Sequence, residues 1–393
     1  MLKGLNVKID IRPRDIYPGK RIRRSPGRTA VIILATLIFS ALMMFYSMQK
    51  YIVYSKDGIS LELPILASEM SVPAEISDGS EVLEFAPVDA EIVISAPDFM
   101  SIPSNAGANL PMVSAIFVKQ ADVTALGIQN LLRRMEALSA DAVVLEMKPE
   151  SGQLTWMSGL EVPHAYGTNG TENMDGIMTA LKNADVYTIA YVSVCIDRLM
   201  SERGSPWALR NTDDKPFTDE FGRYWLDPYN HALRNQVAAM MRELQALGFD
   251  EILLANIAHP PSSATQGSAQ NSEDGLVIGA GNGIVYSQQV NLGIAPTVSN
   301  FTLGLTQQFS DSELHVSAVL DTSALRNGTN EQIGQDPNVF FRFFDRVAVF
   351  TNTADSDRSN AAAYIHSGSV DTRFLPITET TSENGSRVLV LSP

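Results

Sequence analysis

The residues best suited to chemistry in this chain stand where predicted strands run out. "LEMKPESG" places Glu146 and Lys148 two positions apart, so in a regular strand both point to one side. A carboxylate beside an ammonium suits an acid or base with a charge stabiliser, and equally suits a structural ion pair. "IAYVSVCID" ends in Asp197. The long loop that follows carries Trp207 and then "FGRYWLDPYN", with Trp225, Asp227 and Tyr229. "LHVSAVLD" closes on Asp321, which equally suits a cap on a following helix.

Cleavage of a glycosidic bond takes two carboxylates, about 5 Å apart for retention and further apart for inversion. Glu146, Asp197 and Asp227 are therefore the candidate catalytic acids, with Asp321 beside them. Trp225 and Tyr229 offer rings to the apolar C–H face of a sugar, or simply pin a long loop. Lys148, Trp225, Tyr229, Asn256 and His259 form the candidate substrate-binding set. His259 follows "EILLANIA" and precedes two prolines, a setting in which a lone histidine more often packs than acts as a base.

Other chemistries are not supported. His164, His231 and His259 show no HxH or HExxH spacing, so no metal is expected. "GAGNG" at Gly279 is not followed by a clean helical period, which argues against a dinucleotide, and no GxSxG elbow occurs. No cofactor is implied. Cys195 is the only cysteine, so there is no internal disulfide, and its apolar strand makes it a packed small side chain.

The elements that must position these groups alternate. Apolar runs at Met112–Lys119, "DAVVLEMK", "VYTIAYVSVCI", "EILLANIA", "LHVSAVLD" and "RVAVFTN" read as buried strands, with "TRFLPI" and "RVLVLS" as a seventh and eighth. Helical spacing separates them, most clearly in Tyr229–Leu247, which ends at Gly248. Strands apolar throughout mean parallel pairing covered on both faces. Eight such units over roughly 280 residues fit a (β/α)8 TIM-like barrel, with an open doubly wound sheet as the rival. The connections after the sixth and seventh strands are short, so the C-terminal quarter is expected to be incomplete. Functional groups in such a barrel lie at the C-terminal strand ends.

The net charge is −15, unevenly spread. Residues 1–28 hold nine Lys or Arg against Asp10 and Asp15, which is +7 and leaves −22 for the remainder. So acidic a body repels nucleic acid. The uncharged run Thr29–Met48 has the length of a bilayer span and lacks a small-residue cleavage site, so it reads as an uncleaved anchor, with a cleaved signal as the alternative and export in either case. The basic residues keep the N-terminus cytoplasmic and the rest outside. Residues 49–109, acidic and proline-punctuated, read as an extended spacer, and 110–393 as the barrel domain.

These residues also carry a family resemblance. "YWLDPYN", a long helix and "LGFDEI", then "IGQD" at Ile333–Asp336 ahead of "FFDRVAVF", resemble the glycoside hydrolase-like domain family of exported bacterial (β/α)8 proteins. "VLEMKPESG" is similar to that family's second-strand segment. The resemblance runs over roughly Leu110–Asn352 in matching order and implies a TIM barrel acting on cell-envelope polysaccharide. Laid on the family pattern, its fourth-strand Asp falls at Ala255, Tyr at Asn256 and Arg at Ala258, with Pro260 retained. Glu146 replaces an Asp, Lys148 and Asp197 are kept, Ile196 stands for a Lys, and "AVFTNT" replaces the sixth-strand Met-x-Tyr-Pro. The resemblance thus implies a degenerate member, a weakened hydrolase or a binder of glycan. The alternative is a non-catalytic envelope scaffold that docks a protein partner.

Overall fold

The computed structural model describes residues 52–55, 58–61, 98–102, 104, 106–125, 127–211, 213–261, 267–271, 277–280, 284–286, 293–379 and 385–390. The basic head and the expected anchor Thr29–Met48 lie outside the described residues. Among the described residues no helix is long and apolar enough to cross a membrane.

The chain divides into two units, Met1–Asp89 and Ala90–Pro393. In the first, Ile52–Ser55 and Gly58–Leu61 pair as an antiparallel hairpin with Ser55 opposite Gly58. This hairpin falls within the stretch expected to be an acidic, extended spacer. The β-branched "IVY" run followed by the polar Ser55-Lys56-Asp57-Gly58 stretch is the hairpin signal there.

In the second unit eight parallel strands close a ring. They are β1 (Ser114–Val118), β2 (Ala142–Lys148), β3 (Tyr187–Ser193), β4 (Glu251–Ala255), β5 (His315–Val319), β6 (Val347–Phe350), β7 (Phe374–Thr378) and β8 (Arg387–Val390). Each pairs with the next, and β8 pairs with β1 from Arg387 opposite Ser114 to Val390 opposite Phe117. Closure removes the open-sheet alternative. The expected incompleteness touches only the outer layer: among the described residues no helix separates β7 from β8, yet both strands are present. Residues ahead of Leu110 also bond to the barrel. The Gly107 amide donates to Asp345 at 2.7 Å, and the Ile102 carbonyl accepts from Arg342.

Two apolar layers follow from strand parity. Val143, Leu145 and Met147 of β2 face the outer helices, whereas Ala142 and Val144 join Ile189, Tyr191, Leu253, Ala255, Ala348, Leu375 and Val388 around the axis. Helix α1 (Ile128–Ala137), α2 (Asp175–Asn183) and α3 (His231–Leu247) cover the first half. In α3, Leu233, Val237, Met241 and Leu244 recur at helical spacing and are buried. Asn230 caps its start, and Gly248, left-handed at φ 99°, ends it.

The N-terminal end of the barrel is plugged by polar groups of inward parity. Glu251 and Arg346, both fully buried, pair at 3.1 Å, and the Tyr187 hydroxyl donates to Glu251 at 3.1 Å. On the same end a cavity of about 510 Å³ is lined by Phe309, Glu313, His315 and Asp345 among others. There the Asp345 carboxylate, 3.6 Å from His315, raises the imidazole above its ordinary range.

Candidate functional site

At the C-terminal mouth the expected groups separate into two sets. Glu146 keeps its inward parity, is half-buried, and accepts from the Gln120 amide at 2.9 Å. Lys148 does not share its side. A register shift between Glu146 and Lys148 turns the lysine sideways, as a bulge does. Its ammonium donates to the Ser193 carbonyl at 2.8 Å and lies 2.8 Å from Asp197. Lys148 is 5% exposed and Asp197 0%.

Asp197 is fixed further. One oxygen accepts from the Met200 amide at 2.8 Å, capping the helix Arg198–Glu202. The other has no well-aligned hydrogen-bond donor and is held by the charge of Lys148 alone. The turn at Gly152 covers the carboxylate so closely that a Cβ there would sit 1.9 Å from Oδ1. In this structure Asp197 is the buried ion-pair partner of Lys148, roofed by backbone. Asp321 caps the helix Thr322–Asn327, as its alternative reading had it.

The aromatic loop is packed rather than presented. Trp225 is 2% exposed, its Nε1 donates to Asp219 at 3.0 Å, and the Arg223 guanidinium covers its ring at 5.4 Å. A ring so enclosed offers no face to a ligand, so Trp225 pins the loop. Asp227 is 1% exposed and accepts from the Tyr229 amide at 2.9 Å. Tyr229 lies edge-on to His259, ring centroids 6.4 Å apart, and burial pushes its hydroxyl up to about 12. Cys195 is wholly buried, and burial pushes its thiol up to about 12, which leaves it inert.

His259 is fully buried, with Nδ1 2.8 Å from the Pro260 carbonyl, and burial pushes it down to about 4. Its backbone amide donates to Ile333 of the "IGQD" segment at 2.9 Å. Gln335 of that segment donates to the Ile257 carbonyl at 3.0 Å and accepts from the Asp321 amide at 2.7 Å. The motif is thus a clip between the loops after β4 and β5. Because the unfolded chain takes up the His259 proton near pH 6.5 and the folded chain only near 4, acid favours unfolding between those values. The shift corresponds to about 3 kcal/mol lost between pH 7 and pH 4. Urea midpoints across that range are expected to show this slope, and His259→Gln is expected to remove it.

What remains at the mouth is a second set. Asn256 adopts a left-handed φ of 57°, and its amide donates to Ser193 Oγ at 2.9 Å and to Glu150 at 3.1 Å. Tyr191 lies opposite Glu146 in register, points inward, and packs edge-on against Phe117 at 5.3 Å. Burial first, then the charges of Glu150 and Glu146, push its hydroxyl well above the usual range, so it stays protonated. Across the ring Phe350, of the same inward parity as Ala348, is 47% exposed. Sequence reasoning passed over Glu150, Tyr191 and Phe350. The signal for Tyr191 was its parity, two residues before Ser193; Glu150 stands just past the bulge. Among the described residues no group of three or more His, Cys, Asp or Glu could hold a metal.

Residues 115–349 match the family model described as "Putative glycosyl hydrolase domain". The chain belongs to this family. The matched span of the glycosyl hydrolase domain opens in β1 and ends in β6, so it takes in Glu146, Glu150, Tyr191 and Asn256 and leaves β7 and β8 outside. No curated protein matches the chain. Among solved structures it is similar to a hypothetical protein from Ruminiclostridium thermocellum, at 16% identity and a TM-score of 0.42, over 51% of this chain and 96% of that one. It is also similar to the glycoside hydrolase domain of PgaB (BpsB) from Bordetella bronchiseptica, at 14% identity and a TM-score of 0.46, over 68% and 84%. A third likeness is to Aspergillus fumigatus Ega3 in complex with galactosamine, at 9% identity and a TM-score of 0.40, over 70% and 82%. None of these likenesses bears on the chemistry of this mouth.

Proposed function

We propose that this glycosyl hydrolase domain binds cell-envelope polysaccharide at its barrel mouth and hydrolyses it slowly or not at all. The observation that carries this reading is the fate of the acids. Asp197 and Asp227 are at most 1% exposed, Asp197 is locked to Lys148, and the fourth strand ends at Ala255 with Ala258 just beyond it. A positioned acid or base contributes about 10²–10⁴-fold to such a reaction. Glu146 and Glu150 are left at the rim, on the side of the ring that also carries Tyr191, Ser193 and Asn256. Val319 and Phe350 give the other side an apolar face, so the mouth matches a sugar ring with hydroxyls at its edge and C–H bonds on its face.

In this reading the basic head stays in the cytoplasm, Thr29–Met48 anchors the chain by a single pass, and the barrel works outside the membrane. Full-length protein mixed with purified envelope polysaccharide is expected to co-sediment with it and to release no reducing ends above a protein-free blank. Release that disappears in Glu146→Gln or Glu150→Gln would make the domain a working hydrolase. Absence of co-sedimentation would favour the protein-docking scaffold.

A further inference from the structure

We propose that the polar half of the mouth recognises a protonated primary amine on a sugar ring, so that the glycan bound is one whose amino sugars are not N-acylated. This rests on the glycan-binding reading above and adds the class of sugar. Charge gives the first observation. Glu146 is half-buried and Glu150 exposed, and among the described residues neither lies within ion-pair distance of a cation. The ammonium that rises from the same strand, Lys148, is spent on Asp197 at 2.8 Å. The rim therefore holds two uncompensated carboxylates.

The second observation is independent of the acids. Tyr191 is 7% exposed, and its hydroxyl makes no hydrogen bond among the described residues. A hydroxyl on so buried a ring, with no protein partner, is left to a group that enters the mouth. Its ring is clamped by Phe117 and its inward parity aims it into the mouth beside Glu146. The third observation is that Glu150, although exposed, is placed. Asn256 donates to its Oε1 at 3.1 Å from a left-handed backbone that few residues other than glycine adopt.

An ammonium carries three N–H donors. The free oxygens of Glu146 and Glu150 accept two, since Gln120 and Asn256 occupy one oxygen of each. Tyr191 Oη accepts the third, or turns its proton to a hydroxyl or ring oxygen of the same sugar. N-acylation removes the charge and two of the three donors, leaving carboxylates desolvated without return.

The test uses full-length protein in detergent and calorimetric titration with three probes: a fully de-N-acetylated glucosamine oligomer, its fully N-acetylated counterpart, and oligolysine of equal charge. The de-N-acetylated oligomer is expected to bind about tenfold or more tightly than the acetylated one. The isosteric double substitution Glu146→Gln with Glu150→Gln is expected to bring that ratio to near unity. Equal binding of both sugars, or binding of the acetylated one alone, overturns amine recognition and leaves the glycan reading standing. So does a preference that survives the double substitution, which would mark mere attraction to an acidic surface. Oligolysine matching the sugar would also overturn it, as a site for basic peptide. Binding of neither sugar overturns amine recognition, while co-sedimentation with envelope polysaccharide decides the glycan reading.

Discussion

Arg346→Met is expected to cost about 3–5 kcal/mol of stability, the usual consequence of leaving one member of a buried ion pair alone. Arg346 and Glu251 are both 0% exposed in their side chains, and the guanidinium makes contacts at 3.1 and 3.3 Å to the two carboxylate oxygens. It also donates to the carbonyls of Pro111 and Thr372 and to Ser386 Oγ. One side chain thus ties β6 to β4 and to the approaches of β1, β7 and β8. Methionine removes every one of these donors and strands the Glu251 charge, with the Tyr187 hydroxyl as its remaining donor. Urea denaturation followed by tryptophan fluorescence measures the loss. Glu251→Leu combined with Arg346→Met is expected to recover much of it, because the uncompensated charge is gone. A single-variant loss below about 1 kcal/mol would mean that the plug is solvated like a surface pair.

Lys148→Met is expected to produce a loss of similar size, about 3–5 kcal/mol, at the other end of the barrel. Asp197 would keep the Met200 amide and lose its only counter-charge, beneath the backbone roof at Gly152. Adding Asp197→Asn is expected to restore part of the loss. The informative comparison is with glycan affinity. If the pair is structural, Lys148→Met lowers the urea midpoint and leaves the affinity of the folded protein unchanged below the transition. If Lys148 or Asp197 touches glycan, affinity falls in both variants while the midpoint of Asp197→Asn barely moves.

The barrel was legible because its signal is repeated. Eight apolar runs of strand length, separated by helical spacing, say parallel and covered without reference to any one residue. Even "TRFLPI" and "RVLVLS", with little chain between them, form β7 and β8. The site was less legible, and the reason is local. Glu146 and Lys148 share parity in the sequence, but a bulge between them, invisible to a two-residue period, sends the lysine into the wall. Asp197, Asp227 and Trp225 have the types of a sugar site, yet burial decides their use, and burial of a loop depends on contacts remote in sequence. Trp225 is pinned by Asp219, and the loop of His259 is held by Ile333 and Gln335. Tyr191 sat unremarked inside an apolar run, where only its position near the strand end marks it as a mouth residue. The absence of acids at Ala255 and Ala258, by contrast, was readable directly, and both are buried apolar positions in the fold.

Backbone hydrogen exchange of the full-length protein, with and without saturating envelope polysaccharide, tests the mouth as the binding surface most directly. The account predicts slowed exchange at the mouth, at the ends of β2, β3 and β4 around residues 146–152, 191–196 and 255–259, and beside Val319 and Phe350. Slowing around His315 and Asp345 at the opposite end, with none at the mouth, would contradict it.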